Sequence, residues 1–174
     1  RAYDDAKYGQ PASEPILEMT MATSVDETIA PAGKHILSMF VQYAPYEVAP
    51  PEGSLANGAG GSRDASHWDA IKDDFADRCI AKLAEYAPNV PDAIEHRQVL
   101  SPLDLERTYG ITGGNIMQGA MNANQLFAFR PVAGWADHRS PITGLYLCGA
   151  ASHPGGGVMG ACGKNAAAEI LRDF

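Results

Sequence analysis

The sequence predicts an α+β fold: a mixed, largely antiparallel sheet with helices on one side, followed at the C-terminal end by a strand–loop–helix unit. Three observations predict it. Two β-rich runs, Pro15 to Met21 and Lys34 to Tyr43, are separated by loop residues that include Pro31 and Gly33 rather than by a helix. One long stretch, Ser66 to Ala87, repeats apolar residues at steps of three and four. The chain then ends in an apolar run through Leu145 and Leu147, a glycine-rich loop, and a helix of small residues.

Tyr3 to Ser13 is polar and reads as a frayed lead-in, and Pro15-Ile-Leu-Glu-Met-Thr-Met as a short strand. Val25 to Gly33 reads as a loop. His35-Ile-Leu-Ser-Met-Phe-Val-Gln-Tyr is rich enough in β-formers for a central strand, stopped by Pro45 and the Pro50-Pro51 pair. Gly53 to Arg63 reads as a flexible surface loop. No apolar strand feeds it, so it makes a poor phosphate loop.

The helix at Ser66 to Ala87 places Trp68, Ile71, Phe75, Cys79, Leu83 and Tyr86 on one stripe, with Ser66 and Asp69 as a capping pattern and Pro88 as its stop. Arg97 to Leu100 reads as a brief strand. Ser101-Pro102 with Asp104 starts a second helix, because proline in the first turn wastes no hydrogen bond, and Gly110 ends it. Asn115 to Phe129 shows no clear period, Pro131 to Pro141 is a turn-rich connector, and Ile142 begins the terminal strand.

Composition narrows the function. A chain of 174 residues with 45% apolar and 20% charged residues has an ordinary globular make-up, large enough for a real core. A net charge of −8 argues against nucleic acid, which is bound by clustered Lys and Arg. No apolar run is long enough to span a bilayer and no signal-peptide pattern is present, so a cytoplasmic or organelle-matrix setting is expected. Cys79, Cys148 and Cys162 lack paired spacing, which disfavours a disulfide framework or zinc site and suits inert packing roles.

The chemistry concentrates at the C-terminus. Gly155, Gly157 and Gly160 satisfy G-x-G-x-x-G, in which glycines admit a phosphate or ring to the backbone and a helix N-terminus offers unpaired N–H groups. A nucleotide-binding βαβ unit would continue into a second strand and a downstream acidic residue. The chain stops at Phe174 instead, so the expectation is the closing strand and helix of a cofactor fold whose opening half is absent. A tight packing turn is the plain alternative.

The residues Gly144-Leu-Tyr-Leu-Cys-Gly-Ala-Ala-Ser-His-Pro-Gly-Gly-Gly-Val-Met-Gly-Ala resemble the C-terminal flavin-binding signature of the phytoene desaturase-like FAD-dependent oxidoreductases, in the wider flavin amine oxidase group. Pro31 to Tyr46, Ser101 to Ile116 and Gln125 to Pro131 are similar to further segments of the same family's C-terminal third. The resemblance implies a division into a substrate-domain portion, 1–140, and the terminal strand, loop and helix of a Rossmann-like FAD-binding domain, 141–174. It implies FAD as cofactor in the full-length protein, with Gly149, Ala150, Gly155, Gly156, Gly157, Val158, Met159 and Gly160 at the flavin. Ala150 stands where many flavin amine oxidases carry Asp, so a side-chain contact to the ribityl chain is lost. The family's N-terminal Rossmann fingerprint is missing from this chain, so the isolated chain is expected to be inactive and not to retain FAD. Its expected partners are the missing Rossmann half, an apolar small molecule and, for the fragment, a second copy. The implied reaction is hydride removal from a C–H bond to FAD. A stand-alone, non-catalytic binding or assembly module of the same fold is the rival.

No catalytic residue is assigned. His153, beside Pro154, reads as a turn-positioning residue before a catalytic one; His35, His67, His96 and His138 have no metal-binding spacing; Ser38, Ser101 and Ser152 lie outside G-x-S-x-G; and Lys164 reads as solvated. Tyr43, Tyr46, Tyr109, Phe127, Phe129, Met117 and Met121 suit an apolar substrate cavity or an ordinary core equally. Family members often have Phe-His where Met117-Gln118 stands, which removes a histidine-assisted role there.

Overall fold

A computed structural model describes residues 1–50 and 61–174. Most of the expected Gly53–Arg63 loop lies outside them. The fold is α+β, with two compact units, Arg1–Asp104 and Leu105–Phe174. This division concerns compactness; the assignment of 1–140 and 141–174 to two domains of a longer protein is a separate matter.

In the first unit, β1 (Ile16–Thr20) and β2 (Ser38–Gln42) pair antiparallel, with Leu17 opposite Val41 and Met19 opposite Met39. Alternation sends Leu17 and Val41 to one face, where both pack against a core of Val48, Trp68, Phe75, Cys79 and Leu103. The lead-in is ordered, contrary to the frayed segment expected. Helix α1 (Ala2–Lys7) buries Ala2, and Asp5 accepts hydrogen bonds from the Ser13 N–H and hydroxyl at 2.8 and 2.6 Å. The Ala12 N–H bonds to the Tyr43 carbonyl at 3.1 Å, stitching this segment to the end of β2.

Helix α2 (Trp68–Ala84), preceded by a 3₁₀ turn at Ala65–His67, carries the expected stripe. Trp68, Phe75, Cys79 and Leu83 are buried and Ile71 packs against them, but Tyr86 is 79% exposed because the helix has ended. The cap also differs: Asp64 accepts the Ser66 N–H at 2.7 Å, so helical turn begins earlier than a Ser66 cap would allow. Trp68 meets Phe75 edge-on, centroids 5.9 Å apart, and donates its indole N–H to the Pro45 carbonyl at 2.9 Å. A large apolar side chain thereby enters the core with its one polar group satisfied.

A short helix α3 (Val90–Ala93) follows. The residues from Arg97 to Leu100 form no strand; they have β-propensity without a neighbour among the described residues to pair with. Helix α4 (Pro102–Tyr109) starts on a reciprocal capping box: Ser101 Oγ accepts the Asp104 N–H at 3.1 Å and Asp104 accepts the Ser101 N–H at 3.0 Å. Gly110, at φ +69°, ends it. Lys72 on α2 reaches the same Asp104 carboxylate at 2.9 Å. Burial would raise the Asp104 pKa, yet the Ser101 N–H and hydroxyl and the Lys72 ammonium outweigh it and hold the carboxyl below its ordinary value.

In the second unit, Asn115 to Phe129 is a succession of turns, with 3₁₀ segments at Ala123–Gln125 and Phe127–Phe129. The expected terminal strand is reduced to one antiparallel bridge, Tyr146 with Arg139. Leu147 N–H bonds to His138 O at 2.8 Å and Ser140 N–H to Leu145 O at 3.1 Å around the turn at Ile142 to Gly144. Strand geometry needs a ladder, and among the described residues only 138–140 supply one. Helix α5 (Ala161–Asp173) closes the chain.

Candidate functional site

The turn after Cys148 and the loop from His153 to Gly160 curl around a cavity of about 140 Å³. Gly149, Ala150, Gly155, Gly156, Gly157, Met159 and Gly160 line it, joined by Cys148, Ala161, Cys162 and Gly163. The residues expected at the flavin therefore converge on one concavity, except that the Val158 side chain points fully into solvent.

Local geometry explains the glycines. A Cβ at Gly156 would sit 2.8 Å from Met117 Sδ and 3.4 Å from Ala150 Cβ, so the loop closes onto its neighbours only without a side chain. Gly160 is the N-cap of α5 at φ +65°, where a β-branched residue is strained even though the space beside it is open. No side chain caps that helix, and its first N–H groups belong to cavity-lining residues.

Buried polar groups hold the walls. Ser152 Oγ donates to Gly149 O at 2.8 Å, and the Cys162 thiol donates to Gly155 O at 3.2 Å. His138, 3% exposed, has its Nδ1 2.9 Å from the Leu147 carbonyl, which can only accept, so that nitrogen carries the proton. Arg130, 1% exposed, was not singled out from sequence, yet its guanidinium bonds to the carbonyls of Met117, Ala120, Gln125 and Ala150. The exception is His153. Its Nδ1 is buried and is the one buried side-chain nitrogen or oxygen among the described residues without a hydrogen-bond partner.

The other expected residues are accounted for locally. His35 Nδ1 lies 3.1 Å from the Thr23 hydroxyl, and His67 Nδ1 2.9 Å from the Val48 carbonyl. Ser101 serves the α4 cap, and Lys164 is exposed. Among the described residues no three His, Cys, Asp or Glu side chains gather as a metal site. Of the aromatic and methionine set, Tyr43 meets Tyr3 edge-on and Tyr46 packs on the Trp68 core. Met117 and Met121 lie against Gly156 and Gly155, while Phe127 and Phe129 are 72% and 51% exposed. Tyr109 lines a second, open cavity of about 830 Å³ with Ile111, Thr112, Asn115 and Gln118. Gln118, at φ +53°, also comes within 3.5 Å of where a Gly149 Cβ would stand.

The cradle fits part of a flavin. Its walls carry little side chain, the first residues of the uncapped helix α5 form one side, and an unpaired ring nitrogen lies in the loop that forms it. A volume of about 140 Å³ holds one end of such a cofactor rather than all of it.

This is a small, glycine-walled concavity at the start of a helix, and over its whole length the chain is similar to the C-terminal part of oxidoreductases of the phytoene desaturase-like kind. Pyridine nucleotide-disulfide oxidoreductase domain-containing protein 2 of Rattus norvegicus is 44% identical over the whole chain, and its Mus musculus counterpart 42%. The chain spans 28% of the length of these relatives. Phytoene desaturase of Fusarium fujikuroi is 27% identical over 92% of the chain and 29% of its own length. No family model matches the chain, and no solved structure matches it. No helix among the described residues is long and apolar enough to cross a membrane.

Proposed function

We propose that this chain is the C-terminal part of an FAD-dependent oxidoreductase and that Gly149, Ala150 and the Gly155 to Gly160 loop face the flavin. The convergence of the glycine-lined loop and the uncapped start of α5 on one small cavity carries the reading. Bound FAD would supply hydride acceptance from a C–H bond of the substrate. The chain's own part is shape and electrostatics. Gly149, Ala150 and Gly155 to Gly157 leave room for a flat ring, and the N–H groups at the start of α5 favour negative charge on the ligand.

Tyr109, Ile111 and Gln118 would meet the substrate, since Gln118 borders both the larger cavity and the cradle. The ADP end of FAD would be held by a Rossmann unit outside this chain. The test is to purify the full-length protein, release any bound cofactor by denaturation and identify it by absorbance and mass. FAD at one per polypeptide is expected; a flavin-free, correctly folded protein would sink the reading.

A further inference from the structure

Arg130 belongs to the cradle without touching its cavity. A guanidinium carries five N–H donors, and all are engaged by main-chain carbonyls. Nε and Nη2 both donate to Ala150 O, at 3.0 and 2.7 Å. Nη2 also donates to Met117 O at 2.6 Å, and Nη1 donates to Ala120 O at 2.8 Å and Gln125 O at 3.4 Å. No donor is left for a ligand, and among the described residues no carboxylate pairs with this buried charge.

Both facts have consequences. Because the peptide unit is planar and trans, drawing the Ala150 carbonyl inward turns the Ala151 N–H away from the guanidinium. Ala150 lines the cavity, so Arg130 sets the backbone of its wall. Gly155 lines it too, and a Cβ there would stand 3.5 Å from Arg130 Nε. The charge is therefore one backbone layer behind the cavity. A buried ion without a countercharge is costly, and removing solvent from around it extends its field. That field adds to the positive end of α5 on the same cavity.

Resting on the flavin reading above, we propose that Arg130 is a positioning residue of the cofactor site: it fixes the Ala150 backbone that walls the cradle and ties it to the backbone of Met117 and Ala120, and its uncompensated charge favours the reduced, negatively charged form of the bound flavin. Carbonyl dipoles moderate the charge but do not cancel it.

The experiment compares Arg130→Lys and Arg130→Gln with wild type in the full-length protein, reading flavin content, the midpoint potential of the bound flavin, and hydrogen exchange at residues 117–120 and 149–152. Arg130→Lys keeps the charge with fewer donors. It should retain flavin at a potential close to wild type while exchange in both segments speeds up by about tenfold or more. Arg130→Gln should show the same faster exchange, with its remaining flavin at a clearly lower potential.

Should Arg130→Gln hold no flavin or fail to fold, Arg130→Lys decides: retained flavin with faster exchange supports the proposal, and loss of flavin overturns the role of the charge. Wild-type potential in Arg130→Gln overturns it as well. Unchanged exchange in both variants overturns the backbone role. A wild-type protein that purifies without flavin removes the cofactor reading and this inference with it. A normal flavin content with an unaltered potential in Arg130→Gln removes this inference alone.

Discussion

Arg139 grips Asp173 with two parallel hydrogen bonds, Nε to Oδ2 at 3.0 Å and Nη2 to Oδ1 at 2.9 Å, and so ties the connector before the Tyr146 bridge to the last turn of α5. Tyr146 donates its hydroxyl to the same carboxylate at 2.6 Å, and Glu169 pairs with Arg139 one turn earlier. Arg139 hydrogen bonds hold both carboxyls below their ordinary pKa, Asp173 with added help from Tyr146, and the Asp173 bond pushes the Tyr146 phenol above its own.

The sign follows from those directions. A depressed carboxyl adds stability that is complete above its unfolded pKa, near 4, and fades as pH falls through the lower folded value. A raised phenol adds stability that is complete below its unfolded pKa, near 10, and fades as pH rises through the higher folded value. The docking of α5 should therefore loosen at both extremes, and Arg139→Ala should flatten the acid limb. Hydrogen exchange of the α5 amides against pH measures this; an unchanged acid limb in Arg139→Ala would refute the clamp.

Trp68→Ala should destabilise the first unit by about 3–5 kcal/mol, the usual loss for a buried aromatic. Trp68→Phe should cost less, about 1–3 kcal/mol, chiefly because the Pro45 carbonyl loses its donor. Denaturant unfolding of both variants tests the order, and a Trp68→Phe variant as stable as wild type would show that the indole bond contributes nothing.

Gly157→Val and Gly160→Val should lose flavin from the full-length protein while the chain still folds. Both glycines line the cavity, and at φ +65° a valine at position 160 is strained as well. Gly156→Ala should be poorly tolerated for a different reason, the 2.8 Å approach to Met117 Sδ, and should lower the melting temperature too. Wild-type flavin content in the two valine variants would contradict the cradle.

The three thiols should differ in reactivity. Cys148 is exposed at the cavity and should alkylate first, more slowly when flavin is present. Burial pushes the Cys79 thiol up to about 11, and Cys162 is buried and bonded to Gly155 O, so both should resist until unfolding. Cys162→Ser should keep flavin because a hydroxyl can make the same bond. Peptide mapping after timed alkylation decides the order, with early labelling of Cys79 as the contrary result.

The isolated 174-residue chain should be colourless. Its cavity of about 140 Å³ accommodates only one end of a flavin dinucleotide. Titration with FAD, followed by flavin fluorescence and sedimentation, checks this. Tight one-to-one binding to a monomer would favour the stand-alone module instead.

Periodicity and capping made much of this chain legible. The Trp68 to Leu83 stripe shows because a helix repeats its apolar face every 3.6 residues, and the Ser101–Asp104 box because its hydrogen bonds are local in sequence. The glycine spacing at Gly155, Gly157 and Gly160 likewise marks the loop that lines the cavity. Arg97 to Leu100 and Leu145 to Cys148 misled because a strand exists only with a partner, and β-propensity says nothing about whether one is present.

By itself, then, the sequence determined the α+β class, the extents of β1, β2, α2 and α4 to within a few residues, and the segment that forms the cavity. Each rests on interactions between residues close along the chain or on a repeating pattern. Only the tertiary structure decided that Tyr3 to Ser13 is anchored, that Asp64 caps the α2 region, that His153 Nδ1 lacks a partner, and that Arg130 is buried. Arg130 has no sequence mark because its partners are backbone carbonyls up to 20 positions away. Every residue has a carbonyl, so only folding selects which ones converge on the guanidinium.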